Sequence, residues 1–333
     1  MARGPAVTRL AALGLLLAGA ALPADQASLP ERLIVEGHWK RARTIVEARY
    51  REAPDDALAN FLMSQIRNAF GDRESPPKLA DKAVALAPKV ARYHRQVAEV
   101  AGVMAQQANM VRQLFLARRF KHEIDTALSL DPGDLQALRD LMEYYLLAPG
   151  IAGGDQEKAR ATAQRIASLD ACEGYLAEAR LASFRKEKGG VEALLKKAVE
   201  ANPSNFRARE ALAAYELAPE HPNLELAAQQ GRESITRDPG RVTGYAILAE
   251  VYAARDALSD LDALLESAER KVPDDLAPYY RAADRLIAAG RDTALAERYL
   301  RKYVSQEPEG NQPTLAEAQA RLAGLARHTT NRN

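Results

Sequence analysis

The stretch VTGYAILAEVYAARDALSDLDALLESAERKVP, residues 242–273, decides how this chain folds. Its apolar and small residues recur every three or four positions, which is the spacing of one face of an α-helix. Pro273 ends the pattern, because a proline cannot continue the backbone hydrogen-bond ladder of a helix. The stretch therefore predicts two short helices closed by a proline. These residues form their apolar faces: Tyr245, Leu248, Ala249 and Tyr252, then Leu261, Leu265 and Ala268.

A proline follows an amphipathic segment at regular intervals along most of the chain. The gaps between successive prolines are 34, 44, 71, 36, 34 and 35 residues. The gap of 71 divides into 39 and 32 if Ala171 stands in place of a degenerate proline. A fixed period of this length indicates a helical repeat array. The pattern predicts eight units, seven of which end at these prolines: Pro54, Pro88, Pro132, Pro203, Pro239, Pro273 and Pro308.

The order of residues within a unit resembles the tetratricopeptide repeat (TPR) family over residues 27–309. An aromatic residue, a Leu-small pair and a tyrosine precede small and bulky residues and then a proline, as in TPR units. The unit after residue 273 repeats the scheme with Tyr279, Ala283, Gly290, Ala296, Leu300 and Pro308. The second half of a first unit is formed by Gly37, Ala42, Val46 and Pro54.

The resemblance implies an all-α fold, a right-handed α-solenoid of about eight TPR-like helix pairs plus a C-terminal capping helix. We expect the TPR array over residues 25–311 and the capping helix over 312–327, with Pro313 in its first turn. Residues 328–333 are expected to be a disordered tail.

Residues 1–24 have the pattern of a secretory signal peptide. MARGPAVTR carries two arginines and no acid, LAALGLLLAGAAL is an apolar run of 13 residues, and LPADQ follows. Cleavage is predicted after Ala24, with Ala20 as the alternative. An uncleaved anchor is the competing interpretation, although the run is short for a membrane span. We therefore expect a periplasmic or secreted chain with no membrane span in its mature form.

Two units depart from the period. The unit ending at Pro132 is about ten residues too long, and residues 98–130 read as continuously helical, so both of its helices are expected to be extended. The next unit contains APGIAGG, residues 148–154, whose glycines and proline predict an extended loop between two helices. This phrase resembles one found in an exported bacterial TPR subgroup. The alternative interpretation is a purely structural connector.

Composition and motifs argue against several functions. The net charge is +1 and no long basic block occurs, so nucleic acid is not an expected partner. The sequence contains no HExxH, paired CxxC, GxSxG or Walker loop, and its five histidines are scattered, so we expect no enzyme, metal or cofactor. Cys172 is expected to be a small residue in the first turn of a helix, with an intermolecular disulfide as the alternative.

The TPR resemblance implies a concave groove lined by the first helix of each pair, which binds a peptide or partner protein. Arg95 with Glu99, and Arg139 with Glu143, repeat one Arg-then-Glu pattern on neighbouring units. Arginine has a planar donor fork that suits carboxylates, so we expect these pairs to contact the partner. A double Arg95→Glu, Arg139→Glu variant is therefore expected to stay folded and to lose its partner. The groove positions that the resemblance implies are Gln65, Asn68, Arg92, Arg95, Glu99, Gln136, Arg139, Glu143, Glu178, Arg185, Arg207, Glu210, Glu250, Tyr280 and Asp284.

Three functions fit these observations to different degrees. The first is a periplasmic interaction scaffold that binds a peptide or partner protein in the groove. The second is a regulatory or substrate-delivery subunit of a separate envelope enzyme. The third is an enzyme that uses the segment around Gly150, which no nucleophile or base accompanies. The sequence disfavours the third and does not separate the first two.

Overall fold

A computed structural model describes residues 28–187, 189–220, 222–307 and 313–330, and within these ranges the chain forms α-helices and no strand. The helices follow one another as antiparallel pairs. The eight pairs are α1 (Leu29–Glu36) with α2 (Trp39–Glu52), α3 (Ala57–Ala69) with α4 (Ser75–Leu86), α5 (Ala91–Gln106) with α6 (Met110–Leu130), α7 (Leu135–Leu147) with α8 (Gln156–Leu169), α9 (Ala171–Phe184) with α10 (Val191–Ala201), α11 (Phe206–Glu216) with α12 (Leu224–Arg237), α13 (Val242–Arg255) with α14 (Leu258–Lys271), and α15 (Ala277–Ala288) with α16 (Thr293–Val304). A last helix, α17 (Leu315–Thr330), covers the end of the array.

The predicted all-α solenoid of eight helix pairs with a capping helix is confirmed. Six of the predicted closing prolines stand two residues after the end of a second helix, from Pro54 after Glu52 to Pro273 after Lys271. Pro308 lies outside the described residues, as does the predicted signal peptide. The degenerate unit end is tighter than the others, because Asp170 ends α8 and its side chain also caps α9 by accepting the backbone N–H of Glu173.

Short polar side chains set where most of the helices begin. Each accepts a hydrogen bond from a backbone N–H of the first helical turn, which would otherwise have no partner. At α1 this role belongs to a reciprocal capping box between Ser28 and Glu31. The other side chains that cap a helix in this way are Asp56, Asn109, Asp134, Asp155, Asp170, Asn205, Asn223 and Asp292.

Three local predictions need correction. Residues 98–130 are not one helix, because the chain turns at residues 107–109 and Asn109 caps the start of α6; both helices of this pair are nevertheless long, at 16 and 21 residues. Pro313 lies before the capping helix instead of in its first turn, since Thr314 pairs with Glu317 to start α17 at Leu315. The helix then continues to Thr330, past the predicted start of a disordered tail at residue 328.

The core is a continuous layer between stacked pairs. Small residues allow close helix contacts: a Cβ on Gly231 of α12 would lie 2.8 Å from Leu248 Cγ of α13, and one on Gly174 of α9 would lie 2.6 Å from the Cα of Ala167 in α8. The capping helix buries Ala318 and Leu325 against the last pair. Each pair therefore buries its apolar faces against its neighbours, as stacking in a solenoid requires.

The first helices lie on the inside of the curve. The backbones of α3 and α5, of α7 and α9, and of successive first helices from α9 to α15 come within 8 Å of one another. Elements crowd together on the concave side of a bent array, so these helices form its inner wall. Among the described residues, no helix is both long and apolar enough to cross a membrane.

The curve brings the first pair back against the seventh and eighth. His38, between α1 and α2, lies against Asp274, which stands between α14 and α15. We call this set of contacts the closing contact. It consists of His38 Nδ1 to Asp274 Oδ2 (3.1 Å), Arg41 Nη2 to Asp274 Oδ1 (2.8 Å), Lys40 Nζ to Gln306 Oε1 (3.2 Å), Arg43 Nη2 to Glu307 Oε2 (3.2 Å) and Arg241 Nη1 to the carbonyl oxygen of Val35 (3.2 Å).

Candidate binding channel

Most of the groove residues expected from the TPR resemblance occupy first helices, but their charges are bonded across neighbouring pairs. Arg95, Arg139 and Arg281 are each the fifth residue of their helix, and Glu99 and Glu250 are each the ninth. Equivalent positions on stacked helices face the same side, so these groups form one charged strip along the inner wall. Within it, the described arginines and carboxylates bridge one first helix to another.

Arg92 and Arg95 of α5 are anchored in opposite directions. Arg92 Nη1 donates to Glu31 Oε1 of α1 at 2.8 Å, and this hydrogen bond joins the third pair to the first across the second. Arg95 is buried, with Nε 3.4 Å from Asp134 Oδ2, the carboxylate that also caps α7. Neither guanidinium is therefore a free ligand group on the wall.

In the middle of the strip, Glu173 of α9 bonds to residues of the pairs on both sides. Its Oε2 accepts from Arg139 Nη1 at 2.8 Å and from Arg207 Nη1 at 2.5 Å, and its Oε1 accepts from Asn205 Nδ2 at 3.1 Å. Burial opposes the charge on Glu173, but the two arginines hold the pKa of this carboxyl below its usual value. One carboxylate thus joins three successive first helices, α7, α9 and α11.

The Arg and Glu of each repeated Arg-then-Glu pattern are bonded to groups on neighbouring pairs. Glu143 accepts both guanidinium hydrogen bonds of Arg180 on α9, at 2.7 and 2.8 Å. Reversing Arg95 and Arg139 to glutamate would place carboxylates beside Asp134 and Glu173, so the double variant is expected to destabilise the fold instead of leaving it intact. Three of the other predicted positions also contact neighbouring side chains: Gln136 donates to Asp140, Tyr280 contacts the ring of Tyr303, and Asp284 pairs with Arg321 of α17. Gln65 is half-buried, and Glu178 and Arg185 are exposed.

Two carboxylic acids near the middle of the wall are held in a desolvated setting. Burial raises the pKa of Glu99 from 4.5 to about 7. The charge of Asp140 raises this pKa further, whereas the charge of Arg95 lowers it. Asn68 Nδ2 donates to Glu99 Oε1 at 3.3 Å. Burial also raises the pKa of Asp140, although Arg95 and Arg139 oppose this. Glu99 is therefore a carboxyl group of the wall that takes up a proton near neutral pH.

Glu210 of α11 differs from the other charged groups of the strip. It makes no hydrogen bond or ion pair with any described residue, although Arg281, Arg207 and Arg241 surround it at longer range. Burial nonetheless raises its pKa. Glu250 of α13 is similar, because burial raises its pKa and its nearest cation, Arg281 Nε, is 3.8 Å away. These two carboxyl groups retain capacity to accept hydrogen bonds.

Several members of the strip were missed from sequence. Arg281 stands at the same helix position as Arg95 and Arg139, so extending that pattern to α15 would have found it. Glu173 and Arg180 carry no such signal, because they are defined only by which helices stack beside α9. The partner of each predicted residue was therefore not predictable from its own position.

Other candidate chemistry is not assembled in the described parts of the chain. His94 is bonded to Glu123 Oε2 at 2.7 Å and to the carbonyl oxygen of Pro88, and no group of three His, Cys, Asp or Glu in these parts could hold a metal ion. Cys172 is buried in the first turn of α9, as predicted, and burial raises the pKa of its thiol to about 11. A thiol in this state is a poor nucleophile.

Comparison with known proteins identifies the fold and no family. No family model and no curated protein sequence matches the chain. The structure of yeast Tom70 superposes with a TM-score of 0.54 at 14% identity, covering 92% of this chain and 66% of that one. Human IFIT1, in a dimer with m7Gppp-AAAA, superposes with a TM-score of 0.51 at 11% identity, covering 91% of this chain and 73% of that one.

Both neighbours are TPR-type helical repeat proteins. The chain is a TPR-like solenoid. At these identities the likeness shows the fold alone. Because one neighbour is bound to a capped RNA, the likeness does not support excluding nucleic acid as a partner of the TPR-like solenoid; that exclusion stays a prediction from its net charge.

Proposed function

We propose that this TPR-like solenoid is a scaffold that binds a segment of a partner protein along the inner wall, and that it works outside the cytoplasm. The single observation that carries the proposal is Glu210, a half-buried carboxyl group on the wall without a hydrogen bond or ion pair to any described residue. The oxygens of this carboxyl group are free to accept hydrogen bonds, and a bound segment that donates N–H groups would supply them.

The charge balance of the strip favours a protein segment over a nucleic acid. A nucleic-acid channel needs an excess of cations to offset phosphates. Here the arginines are matched by carboxylates, so a polyanion would gain little, whereas a peptide carries both donors and acceptors. The strip consists of Arg92, Arg95, Arg139, Arg180, Arg207 and Arg281, with Glu99, Asp140, Glu143, Glu173, Glu210 and Glu250.

A capture experiment with matched variants tests the proposal. The bait is the full chain carrying Glu210→Gln and Glu250→Gln, which removes the two least bonded carboxylates of the strip. The control is Glu266→Gln on the outer helix α14, because Glu266 also lies 3.8 Å from an arginine, Arg270, at the surface. We expect the wild type and the control to recover the same partner from the native envelope fraction, and the double variant to lose it.

Two outcomes would contradict the proposal. Undiminished recovery by a folded double variant would show that the inner wall is not the binding surface. Binding of an A-rich RNA oligonucleotide that competes with the partner would point to nucleic acid instead. If the recovered partner is an enzyme whose activity changes on binding, the second function, a regulatory or substrate-delivery subunit, is favoured over a structural scaffold.

The location is a separate part of the proposal and has its own test. It rests on the pattern of residues 1–24, which lie outside the described residues. N-terminal sequencing of the protein recovered from the envelope should begin near Asp25. Recovery of an intact Met1 in the cytoplasmic fraction would contradict both the cleavage and the location.

A further inference from the structure

One edge of the solenoid carries a cluster of exposed apolar side chains. The cluster lies where the first helix turns into the second in the third and fourth pairs. We call it the apolar edge. It consists of Met110, Val111 and Phe115 at the start of α6, which are 85%, 82% and 69% exposed, Leu147 at the end of α7, which is 56% exposed, and Ile151 in the loop that follows, which is 81% exposed. Exposed apolar side chains of this size, gathered on one edge, mark an interaction surface.

The apolar edge projects from the array. α6 has 21 residues, whereas the second helices on either side, α4 and α8, have 12 and 14. The difference of seven or more residues corresponds to roughly 10 Å of additional helix. The loop at residues 148–154 supports its base, because Tyr144 stacks on Phe120 of α6 with ring centroids 5.6 Å apart and donates a hydrogen bond to the carbonyl oxygen of Ala152. The surface is therefore a convex tip and not a groove.

The charged residues in the sequence around the tip are all basic. Residues 100–122 contain no Asp or Glu and four Lys or Arg, in a chain with 45 acidic residues among 333. Arg119 pairs with Asp81 and Lys121 with Asp125. Arg112 and Arg118 are exposed and form no ion pair with any described residue. The loop contributes no acid either, since none occurs between Glu143 and Asp155.

The exposed side chains along α6 change from apolar to basic with distance from the tip. Val111, Phe115, Arg118 and His122 are exposed and follow one another at helical spacing on one stripe. Arg118 lies about 10 Å along the axis from Val111. Apolar groups of interfacial segments enter the bilayer boundary by roughly 5–10 Å, so a tip at that depth would place Arg118 among the head groups.

We propose that the apolar edge inserts into an anionic lipid bilayer. A protein partner fits less well, because stable protein interfaces bury roughly 800 Å² on each side, whereas a few side chains on a convex tip offer about half of that. Basic residues around the tip add attraction to an anionic surface. The inference does not rest on the inner wall or on the partner proposed for it.

The experiment uses tryptophan fluorescence of the full chain with vesicles of phosphatidylglycerol and phosphatidylcholine. The chain has one tryptophan, Trp39, and it is buried, so a Phe115→Trp variant reports the tip against a constant background. We expect its emission to move to shorter wavelength on anionic vesicles and to be quenched by brominated lipid. Leu169→Trp is the matched control: Leu169 is also exposed but lies at the end of α8, on the opposite edge, and its emission should not change.

A second variant tests the charge. Arg112→Ser with Arg118→Ser, in the Phe115→Trp chain, should weaken vesicle binding about 30-fold, because each basic residue near an anionic surface contributes roughly fivefold. No spectral change of Phe115→Trp on anionic vesicles would overturn the proposal. So would a change that is equal on zwitterionic and anionic vesicles, or a concentration-dependent dimer that is lost in a Met110→Ser, Phe115→Ser variant.

Discussion

His38 Nδ1 lies 3.1 Å from Asp274 Oδ2, although 236 residues separate them in the sequence. The same carboxylate accepts from Arg41 at 2.8 Å, so one acidic residue between the seventh and eighth pairs contacts two residues of the first. Burial opposes the charge on Asp274, but the hydrogen bond from His38 and the charge of Arg41 lower its pKa. The closing contact therefore joins the two ends of the array around the inner wall.

Asp274→Asn should loosen this closure. The change leaves His38 and Arg41 without their charged acceptor, and we expect the free energy of unfolding to fall by roughly 1–3 kcal/mol. Small-angle scattering should show a larger radius of gyration. Asp262→Asn is the control, because Asp262 joins α14 only to its neighbour α16 through Arg298 and Tyr299. An equal expansion in both variants, or in neither, would contradict closure by Asp274.

Glu99→Gln should stabilise the protein at pH 8 and have little effect at pH 4. The pKa of Glu99 is about 7 in the folded chain and 4.5 in its ordinary state, so the folded chain holds the proton more tightly and stability falls as the pH rises between those values. The glutamine removes this penalty, which is up to roughly 3 kcal/mol above pH 7. Urea denaturation at several pH values measures it. Exposed Glu178→Gln should show no such dependence; a flat difference for Glu99→Gln would disprove the assignment.

Leu248 and Gly231 should be coupled. Leu248→Ala removes a buried side chain and is expected to cost roughly 2–5 kcal/mol. Gly231→Ala places a methyl group 2.8 Å from Leu248 Cγ and should cost roughly 1–3 kcal/mol. In the double variant the methyl group enters the space left by leucine, so the combined loss should be clearly smaller than the sum. Chemical denaturation of all four chains measures the cycle, and simple additivity would show that the two helices do not meet here.

Gly154→Ala should disrupt the loop of residues 148–154, whereas Gly150→Ala should not. A Cβ at Gly154 would overlap the carbonyl oxygen of Ala148, while one at Gly150 would meet nothing within 4 Å. Because the obstacle is backbone, we expect a loss of roughly 1–3 kcal/mol for the first variant and nearly none for the second. Thermal denaturation distinguishes them. Equal melting temperatures would mean that the loop does not hold this conformation in solution.

The repeat pattern was predictable because it depends on residues that are close together in the sequence. Prolines such as Pro239 and Pro273 end helices by chemistry that needs no distant partner, and the apolar spacing defines which face of each helix is buried. The wrong predictions concerned the ends of individual helices. The helical pattern of residues 98–130 gave no sign of the turn before α6, which begins where Asn109 caps it. Pro313 was predicted inside the last helix, but that helix begins after Thr314.

The charged strip was only partly predictable. Arg95 and Arg139 were identified at equivalent positions, but which carboxylate each one meets depends on how far one pair is rotated against the next. That rotation is set by the summed contacts of many buried side chains, which a single helix position does not encode. Glu173, which joins α7, α9 and α11, is visible only once those three helices stand side by side.

The sequence by itself determined the all-α class, the eight helix pairs and the small residues that let them stack, because each of these follows from spacing and backbone chemistry within one unit. Only the tertiary structure decided that the array closes from His38 to Asp274, that Glu210 stands on the inner wall without a direct partner in the described chain, and that Phe115 is carried on a projecting tip. The reason is that curvature accumulates over successive packing angles, so residues far apart in sequence meet only after all eight pairs are in place.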